Sequence, residues 1–198
     1  MTNDLSAPES GPLPGLRGLL REDLRTHHGD VAAPGLHAVV VHRYGAWIDA
    51  HHPPAAGLHR LFYRLGYLLV RNVYGIEIPR TTRVGRRVKI AHQSGIVIHP
   101  DAVIGDDCVI RQNVSIGAAA GDVARFSGQA PVLGRGVSVG AGAVIVGGIR
   151  IGDGAVLGPN VTVITHVPEG ARVMAAPPRT FRLPQAVQER EEQLRAQG

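Results

Sequence analysis

One histidine stands where a regular pattern of the chain is interrupted. In the stretch IAHQSGIVIHP at residues 90–100, aliphatic residues that elsewhere recur every six positions are eight positions apart, at Ile90 and Ile98. If both isoleucines point inward, the two additional residues must bulge outward, which places His92 on an exposed turn. A neutral imidazole in such a turn can accept a proton from a hydroxyl group. His92 is therefore the candidate general base.

The interrupted pattern is a hexapeptide repeat. Every sixth residue is aliphatic from Leu133 to Val163, and the same spacing occurs earlier, at Val84 and Ile90 and then from Ile98 to Ile116. A period of six matches neither an α-helix nor an alternating strand, whereas it fits a short strand followed by a turn. Three such units form one triangular coil, and stacked coils form a parallel β-helix.

The rest of the chain falls into regions of different composition. Residues 1–12 are polar and are predicted to be disordered. Residues 13–75 contain three segments with apolar residues at helical spacing and are predicted to form an α-helical N-terminal cap on a mostly β fold. The β-helix is expected over residues 76–180, with a loop at 118–130 that does not fit the repeat. A charged C-terminal helix is expected over residues 181–198. The third segment of the cap carries its large apolar residues on one side: Leu58, Leu61, Phe62, Leu65, Leu68 and Leu69.

Composition argues against several classes of function. The formal net charge is +5, and the 21 basic residues are scattered among acidic ones, unlike the dense basic patch of a nucleic-acid-binding protein. No apolar run approaches the ~20 residues of a membrane span and no signal peptide is recognisable, so a cytoplasmic location is expected. The single cysteine, Cys108, occupies an inward position of the repeat and is expected to be a buried core residue.

Four segments together carry a family resemblance. They are IAHQSGIVIHPDAVIGDDCVIRQNVSIG at 90–117, GLHAVVVHR at 35–43, GVSVGAGAVIVGGIRIGDGAVLGPNVTV at 136–163 and AAPPRTF at 175–181. In the first of them a histidine is followed, after two residues, by Gly-Ile-Val. This combination resembles the serine O-acetyltransferase family.

The resemblance implies a fold, a reaction and an assembly. The fold is a left-handed parallel β-helix, and acetyl-CoA is the acyl donor in a reaction without a metal. His92 removes the proton from the acceptor hydroxyl, which attacks the thioester directly, and Asp30 contacts the amino acid. The protein is expected to be a homotrimer or a dimer of trimers, with acetyl-CoA bound in the groove between neighbouring coils.

Two positions depart from the pattern of that family. The resemblance implies an aspartate immediately before the histidine, where it orients the imidazole, but Ala91 stands there. It also implies an Arg-His pair before a proline in the long loop, where Gln129 and Ala130 stand. Arg125, in the same loop, is the candidate to bind the carboxylate of the acceptor in place of that pair.

The side that binds the acyl donor follows the family pattern more closely. Short side chains at Gly140, Ala141, Gly142 and Ala143 leave room for a pantetheine arm along the coil, and their backbone amides are expected to bind it, although the same residues also suit tight corners. Arg179 matches a basic residue at the end of the coil and is the candidate to contact a CoA phosphate.

Two other functions remain open from the sequence alone. The acceptor is either serine or another hydroxyl compound, such as a sugar or a specialised metabolite. The chain could instead be a non-catalytic trimeric scaffold or a metal-binding β-helix. A metal site between chains would need histidines in register, and His92, His99 and His166 do not share a phase of the hexapeptide repeat; His99 and His166 are expected to be corner residues.

The family resemblance also raises the question of a complex with cysteine synthase. Many serine acetyltransferases dock a C-terminal isoleucine into that enzyme, whereas this sequence ends with Gly198. A glycine lacks the ~1.5–3 kcal/mol that burial of an aliphatic side chain contributes. No tight complex with cysteine synthase is therefore expected.

Overall fold

The computed structural model describes residues 14–51, 57–119, 130–177, 179, 190 and 193–196. Three helices come first: α1 (Leu16–Thr26), α2 (Pro34–His51) and α3 (Gly57–Asn72). The strands of the described residues follow: β1 (Ile76–Glu77), β2 (Arg83–Val84), β3 (Lys89–Ile90), β4 (Ile96–Ile98), β5 (Val103–Ile104), β6 (Val109–Ile110), β7 (Ser115–Gly117), β8 (Val132–Leu133), β9 (Ser138–Val139), β10 (Val144–Val146), β11 (Arg150–Ile151), β12 (Val156–Leu157), β13 (Thr162–Val163) and β14 (Arg172–Val173).

The strands form three parallel sheets in which neighbours are three strands apart in the chain, except β12 and β14, between which the chain makes only an isolated bridge from Val167 to Ile151. Their orders are β1-β4-β7-β10-β13, β2-β5-β8-β11 and β3-β6-β9-β12-β14. Each coil therefore contributes one strand to each sheet, which confirms the predicted parallel β-helix with a helical N-terminal cap. The inward positions of the repeat are fully buried and fill the space between the sheets: Ile90, Ile98, Ile104, Ile110, Ile116, Leu133, Ile145, Ile151 and Leu157.

Residues with left-handed backbone conformations make the corners of the coils. Asp107, Asn113 and Asn160 have φ angles of 60°, 59° and 56°. Asparagine and aspartate tolerate this region better than other residues with a side chain. The corners also stack from coil to coil, since the Gly142 N–H donates to Gln112 O at 3.0 Å. The hexapeptide period and the choice of corner residues therefore favour the same fold.

A buried arginine anchors the first two helices to the β-helix. Arg43 of α2 pairs with Asp23 of α1 at 3.1 Å, and these side chains are 6% and 0% exposed. The same guanidinium donates to Val84 O at 2.6 Å and to Gly85 O at 2.5 Å. The side chain therefore satisfies two coil carbonyls and one carboxylate, and it sets the position of the cap on the coil.

Three predicted regions extend beyond the described residues. The predicted tail at 1–12 and most of the predicted loop at 118–130 lie outside them, as does most of the predicted C-terminal helix at 181–198, in which residues 190 and 193–196 are helical. No helix among the described segments combines the length and the apolar character that crossing a bilayer would require.

A buried histidine predicts how stability depends on pH. His42 donates its Nδ1–H to Pro79 O at 3.1 Å. Burial, assisted by the neighbouring Arg43 cation, lowers the pKa of His42 from 6.5 to about 4. The unfolded chain therefore takes up a proton at His42 near pH 6.5, whereas the folded chain takes it up only near pH 4. The contribution of His42 to the free energy of unfolding is full above pH 6.5 and is lost as the pH falls toward 4. The expected loss over this interval is about 3 kcal/mol.

Urea unfolding between pH 7.5 and pH 4.5 measures this loss. The matched control is His42→Asn, which keeps a donor near the position of Nδ1 but cannot take up a proton. The free energy of unfolding of this variant is expected to change less over the same interval. Equal slopes for the two proteins would show that His42 is not responsible.

Candidate active site

The turn that carries His92 is wider than the turn beside it. From Ile90 to the next inward residue, Ile96, the chain advances six positions, while the following coil advances four, from Ile110 to Val114. The flanking strands remain in register, with Ile90 opposite Ile110 and β4 paired with β7. The two additional residues therefore project from the corner, and His92 is exposed on them.

Backbone hydrogen bonds hold this wide turn, residues 91–95, against both neighbouring coils. The Ser94 N–H donates to Tyr74 O at 2.9 Å, and the Asn113 N–H donates to Ser94 O at 2.8 Å. Ser94 and Gly95 have φ angles of 82° and 66°. A Cβ atom at Gly95 would overlap the Asn113 side chain, so glycine is required there. The turn presents His92 from a fixed backbone.

A buried side-chain oxygen lies beneath the wide turn. The Ala91 N–H donates to Ile110 O, and the Asn113 N–H donates to Ser94 O. Residues 111 and 112, which lie between these two contacts in the next coil, are therefore directly beneath the turn. Gln112 is one of them, and its buried Oε1 has no hydrogen-bond partner among the described residues. This carbonyl can accept a hydrogen bond from the turn or from a bound molecule. The sequence analysis missed Gln112 because its importance depends on the stacking of two coils.

The start of α2 and the loop before it lie next to the strand that leads into the wide turn. A Cβ atom at Gly35 would overlap the carbonyl of Ile90, so α2 approaches β3 as closely as a helix can. Lys89 of β3 donates to His28 Nε2 at 2.7 Å. Asp30 follows in the same loop, exposed, with its Oδ1 accepting the Ala32 N–H at 2.9 Å. The fold thus brings the loop of Asp30 to the coil that carries the candidate base.

A carboxylate lies on the strand beside the one that follows the turn. Glu77 of β1 is opposite Val97 of β4. It forms a half-exposed ion pair with Arg71 at 3.6 Å. This contact ties β1 to the end of α3. At the position where the resemblance implies an orienting carboxylate, the structure has Ala91.

The corner at residues 140–143 is tightly packed. Gly142 has a φ angle of 72°, and a Cβ atom there would overlap Asn160. The Gly140, Gly142 and Ala143 N–H groups donate to Leu157 O, Gln112 O and Gly140 O within the β-helix. These three amides are therefore already engaged, which corrects the expectation that they bind an acyl donor. A ligand would instead pack against the short side chains of this corner.

The remaining residues singled out from the sequence do not gather at this site. Cys108 is fully buried, and burial raises the pKa of its thiol to about 12. His99 Nδ1 accepts the Asp101 N–H at 3.2 Å, and His166 Nδ1 accepts the Arg150 N–H at 2.9 Å, so both histidines support corners. Within the described segments no group of three His, Cys, Asp or Glu side chains could hold a metal ion.

Arg179 and Arg125 were assigned to ligands from the sequence, and Gln129 and Ala130 stand where the Arg-His pair was expected. Arg179 is exposed beyond β14, whereas Arg125 and Gln129 lie outside the described residues. Ala130, the other residue at the position of the expected Arg-His pair, is 7% exposed and lies in the core.

Comparison with known proteins decides the family. Residues 130–165 match the bacterial transferase hexapeptide family (six repeats). A serine acetyltransferase of Helicobacter pylori (strain J99) is 35% identical over 153 residues, which cover 75% of this chain and 81% of that protein. The chain belongs to the serine acetyltransferase family.

Other serine acetyltransferases show the same relationship. The protein of Synechococcus elongatus is 35% identical over 149 residues, covering 75% of this chain and 57% of that protein. The crystal structure of serine acetyltransferase isoform 3 of Entamoeba histolytica in complex with cysteine has a TM-score of 0.70 and 25% sequence identity, covering 89% of this chain and 64% of that one. The chain thus spans little more than half of the Synechococcus protein and under two thirds of the Entamoeba protein.

These similarities bear on two expectations from the sequence. The hexapeptide match and the similarity to solved serine acetyltransferases confirm the left-handed parallel β-helix. All three relatives described above are serine acetyltransferases, so they give no support to a sugar or a specialised metabolite as the acceptor.

Proposed function

We propose that this protein transfers the acetyl group of acetyl-CoA to the hydroxyl group of L-serine, releasing O-acetylserine and CoA. The observation that carries the proposal is the exposed His92 on a rigid, widened turn of a chain in the serine acetyltransferase family. A general base needs an accessible nitrogen and a fixed position, and this turn supplies both.

The proposed reaction needs one base and no covalent enzyme intermediate. His92 accepts the proton of the serine hydroxyl as the oxygen attacks the thioester carbonyl. The tetrahedral intermediate then collapses, the C–S bond breaks, and the proton on His92 passes to the leaving thiolate of CoA. Asp30 is placed to bind the amino group of serine, and Arg125 is assigned to its carboxylate.

The acyl donor is assigned to the corner next to Gln112. The pantetheine arm packs along residues 140–143, where short side chains leave the coil surface open, and Arg179 contacts a phosphate of CoA. In the homotrimer that the family resemblance implies, this corner faces the groove between neighbouring chains. Acetyl-CoA is then held between two coils, with its thioester within reach of His92.

Acetyl-CoA turnover, followed as release of free thiol, tests the proposal. The purified protein is assayed with L-serine, with homoserine, with a panel of sugars and without an acceptor. Thiol release that depends on L-serine, together with O-acetylserine in the product mixture, is expected. Turnover with a sugar but not with serine would refute the proposed acceptor, and the absence of turnover with every acceptor would refute the proposed reaction.

The residue before His92 leads to a prediction of its own. A carboxylate near an imidazole fixes its tautomer and stabilises its cation. Position 91 holds alanine in this chain, so Ala91→Asp, which places a carboxylate next to His92, is expected to raise kcat with L-serine. Steady-state assays with acetyl-CoA and L-serine measure the change.

The control variant is Ala91→Asn, which has nearly the size of aspartate but carries no charge. Its kcat is expected to stay close to that of the unmodified protein. If Ala91→Asp and Ala91→Asn change kcat equally, or if Ala91→Asp has no effect, a carboxylate at position 91 does not assist His92.

A further inference from the structure

A cavity of about 620 Å³ lies between the first two helices and the β-helix. Leu19 of α1, Val84 of β2 and Val103 of β5 border it. Among the described residues, neither the wide turn at 91–95 nor the corner at 140–143 contributes to its lining. Sites for small molecules usually span roughly 300–1,000 Å³, so this space has the size of a binding site. We refer to it as the cap cavity.

The sequence of α2 leaves this space open. Five of its residues border the cap cavity: His42, Arg43, Ala46, Trp47 and Ala50. Their spacing, with steps of one and then three or four positions, places them on one side of the helix. Ala46 and Ala50 end at Cβ, so their side chains do not reach the strands opposite. Arg43 fixes α2 at this distance from the coil, because its guanidinium donates to Val84 O and Gly85 O.

The charges around the cap cavity favour an anion. Three arginines and one carboxylate line it: Arg43, Arg80, Arg83 and Asp106. Arg43 and Arg80 each pair with an aspartate that does not border the cavity, with nitrogen–oxygen distances of 3.1 and 2.7 Å. Asp106 lies 3.7 Å from the guanidinium of Arg87. Arg83 is exposed and forms no ion pair with any residue that the structure describes, so its charge is available to a bound carboxylate.

A buried imidazole offers a hydrogen-bond acceptor to the cap cavity. His42 is 3% exposed and borders the cavity. Its Nδ1–H donates to Pro79 O, and its pKa of about 4 keeps the ring neutral at pH 7.5, so Nε2 carries a lone pair. Within the described segments Nε2 accepts no hydrogen bond, and unlike His27 Nε2 it is not completely buried. Nε2 therefore faces the cavity, where it can accept a hydrogen bond from a hydroxyl group.

We propose that the cap cavity binds a small apolar molecule that carries a carboxylate and a hydroxyl group. The carboxylate pairs with Arg83, the hydroxyl group donates to His42 Nε2, and the apolar part packs against Trp47 and Leu19. Such a molecule contacts both the helical cap and the coil, so it stabilises their contact. The proposal does not depend on acetyl transfer, because the cavity shares no residue with the wide turn.

The fluorescence of Trp47 measures binding, because it is the single tryptophan of the sequence and borders the cavity. The probe is 3-(4-hydroxyphenyl)propionate, which joins a carboxylate and a hydroxyl group through a flat apolar ring. It is titrated into the unmodified protein at pH 7.5 without acetyl-CoA. A saturable change with a Kd on the order of 100 μM is expected for a ligand of this size. The absence of a saturable change at millimolar concentrations, as when residues 1–13 or another protein fill the cavity, would overturn the proposal.

Two analogues of the probe separate its polar contacts. The compound 3-phenylpropionate lacks the hydroxyl group and is expected to bind roughly 5-fold more weakly, because it leaves His42 Nε2 without a donor. The compound 3-(4-hydroxyphenyl)propionamide lacks the charge and is expected to bind roughly 10-fold more weakly, because a hydrogen bond to a charged group is the stronger one. Equal affinities for all three compounds would show apolar burial alone and would overturn the proposed recognition.

Three variants locate the site. Arg83→Gln, at an exposed side chain, is expected to remain folded, to bind the probe roughly 10-fold more weakly and to bind the acid and the amide equally. The matched control is Arg150→Gln, at the same outward position three strands along the same sheet, and its Kd is expected to be unchanged. Ala46→Phe places a ring in the cavity and is expected to abolish binding. Equal losses for the two arginine variants, or full binding by a folded Ala46→Phe variant, would place the probe elsewhere and overturn the proposal.

Discussion

Replacing His92 with alanine is expected to lower serine-dependent acetyl transfer by roughly two to four orders of magnitude, the usual contribution of a general base. The side chain is exposed, and the turn is held by backbone hydrogen bonds at Ser94 and Asn113, so the variant should fold. The loss is expected mainly in kcat, because the imidazole acts on the proton that moves as the thioester is attacked. Steady-state assays with acetyl-CoA and L-serine measure it.

The neighbouring Gln93→Ala is the matched control for this variant. Gln93 is exposed on the same turn and has no part in the proposed reaction. Near-normal activity is expected, with an unchanged circular dichroism spectrum for both variants. If His92→Ala retained most of the activity, another residue would have to be the base, and the proposed mechanism would be wrong.

The second large effect concerns stability. Asp23→Ala is expected to lower the free energy of unfolding by about 3–5 kcal/mol, because it leaves a guanidinium buried without its counter-charge. Arg43 is 6% exposed in the folded protein, and its contacts with Val84 O and Gly85 O hold it there. Urea unfolding followed by circular dichroism measures the change. Because this pair anchors α1 and α2, and the loop of Asp30 joins these helices, thermal inactivation is also expected to begin at a lower temperature.

An exposed ion pair of the same type provides the comparison. Arg80 and Asp49 are 2.7 Å apart, and both side chains are more than one third exposed. Asp49→Ala is expected to cost at most about 1 kcal/mol, since solvent screens the charges and solvates the arginine that remains. Equal losses for Asp23→Ala and Asp49→Ala would show that burial does not set the contribution of the Asp23–Arg43 pair.

The sequence by itself determined the β-helix and the position of the candidate base. Both depend on spacing along the chain. One aliphatic residue in every six points into the core, so any change in the interval between these residues must appear as a bulge in the coil. The interval from Ile90 to Ile98 therefore predicted the wide turn before any contact was known, and the asparagines at the corners agree with it. The helical segments of the cap were equally readable from their apolar spacing.

What surrounds His92 was decided by the tertiary structure alone. Gln112 is 20 residues away in the chain, and it adjoins the turn only because successive coils stack in register. The amides of the corner at 140–143 looked available in the sequence, but the adjacent coils use two of them and the corner itself uses a third. The apolar pattern of α3 predicted a packed helix, but periodicity cannot tell which side packs. Only the position of α2 showed that the broader apolar face remains exposed, because burial depends on contacts between distant segments and not on the order of residues within one helix.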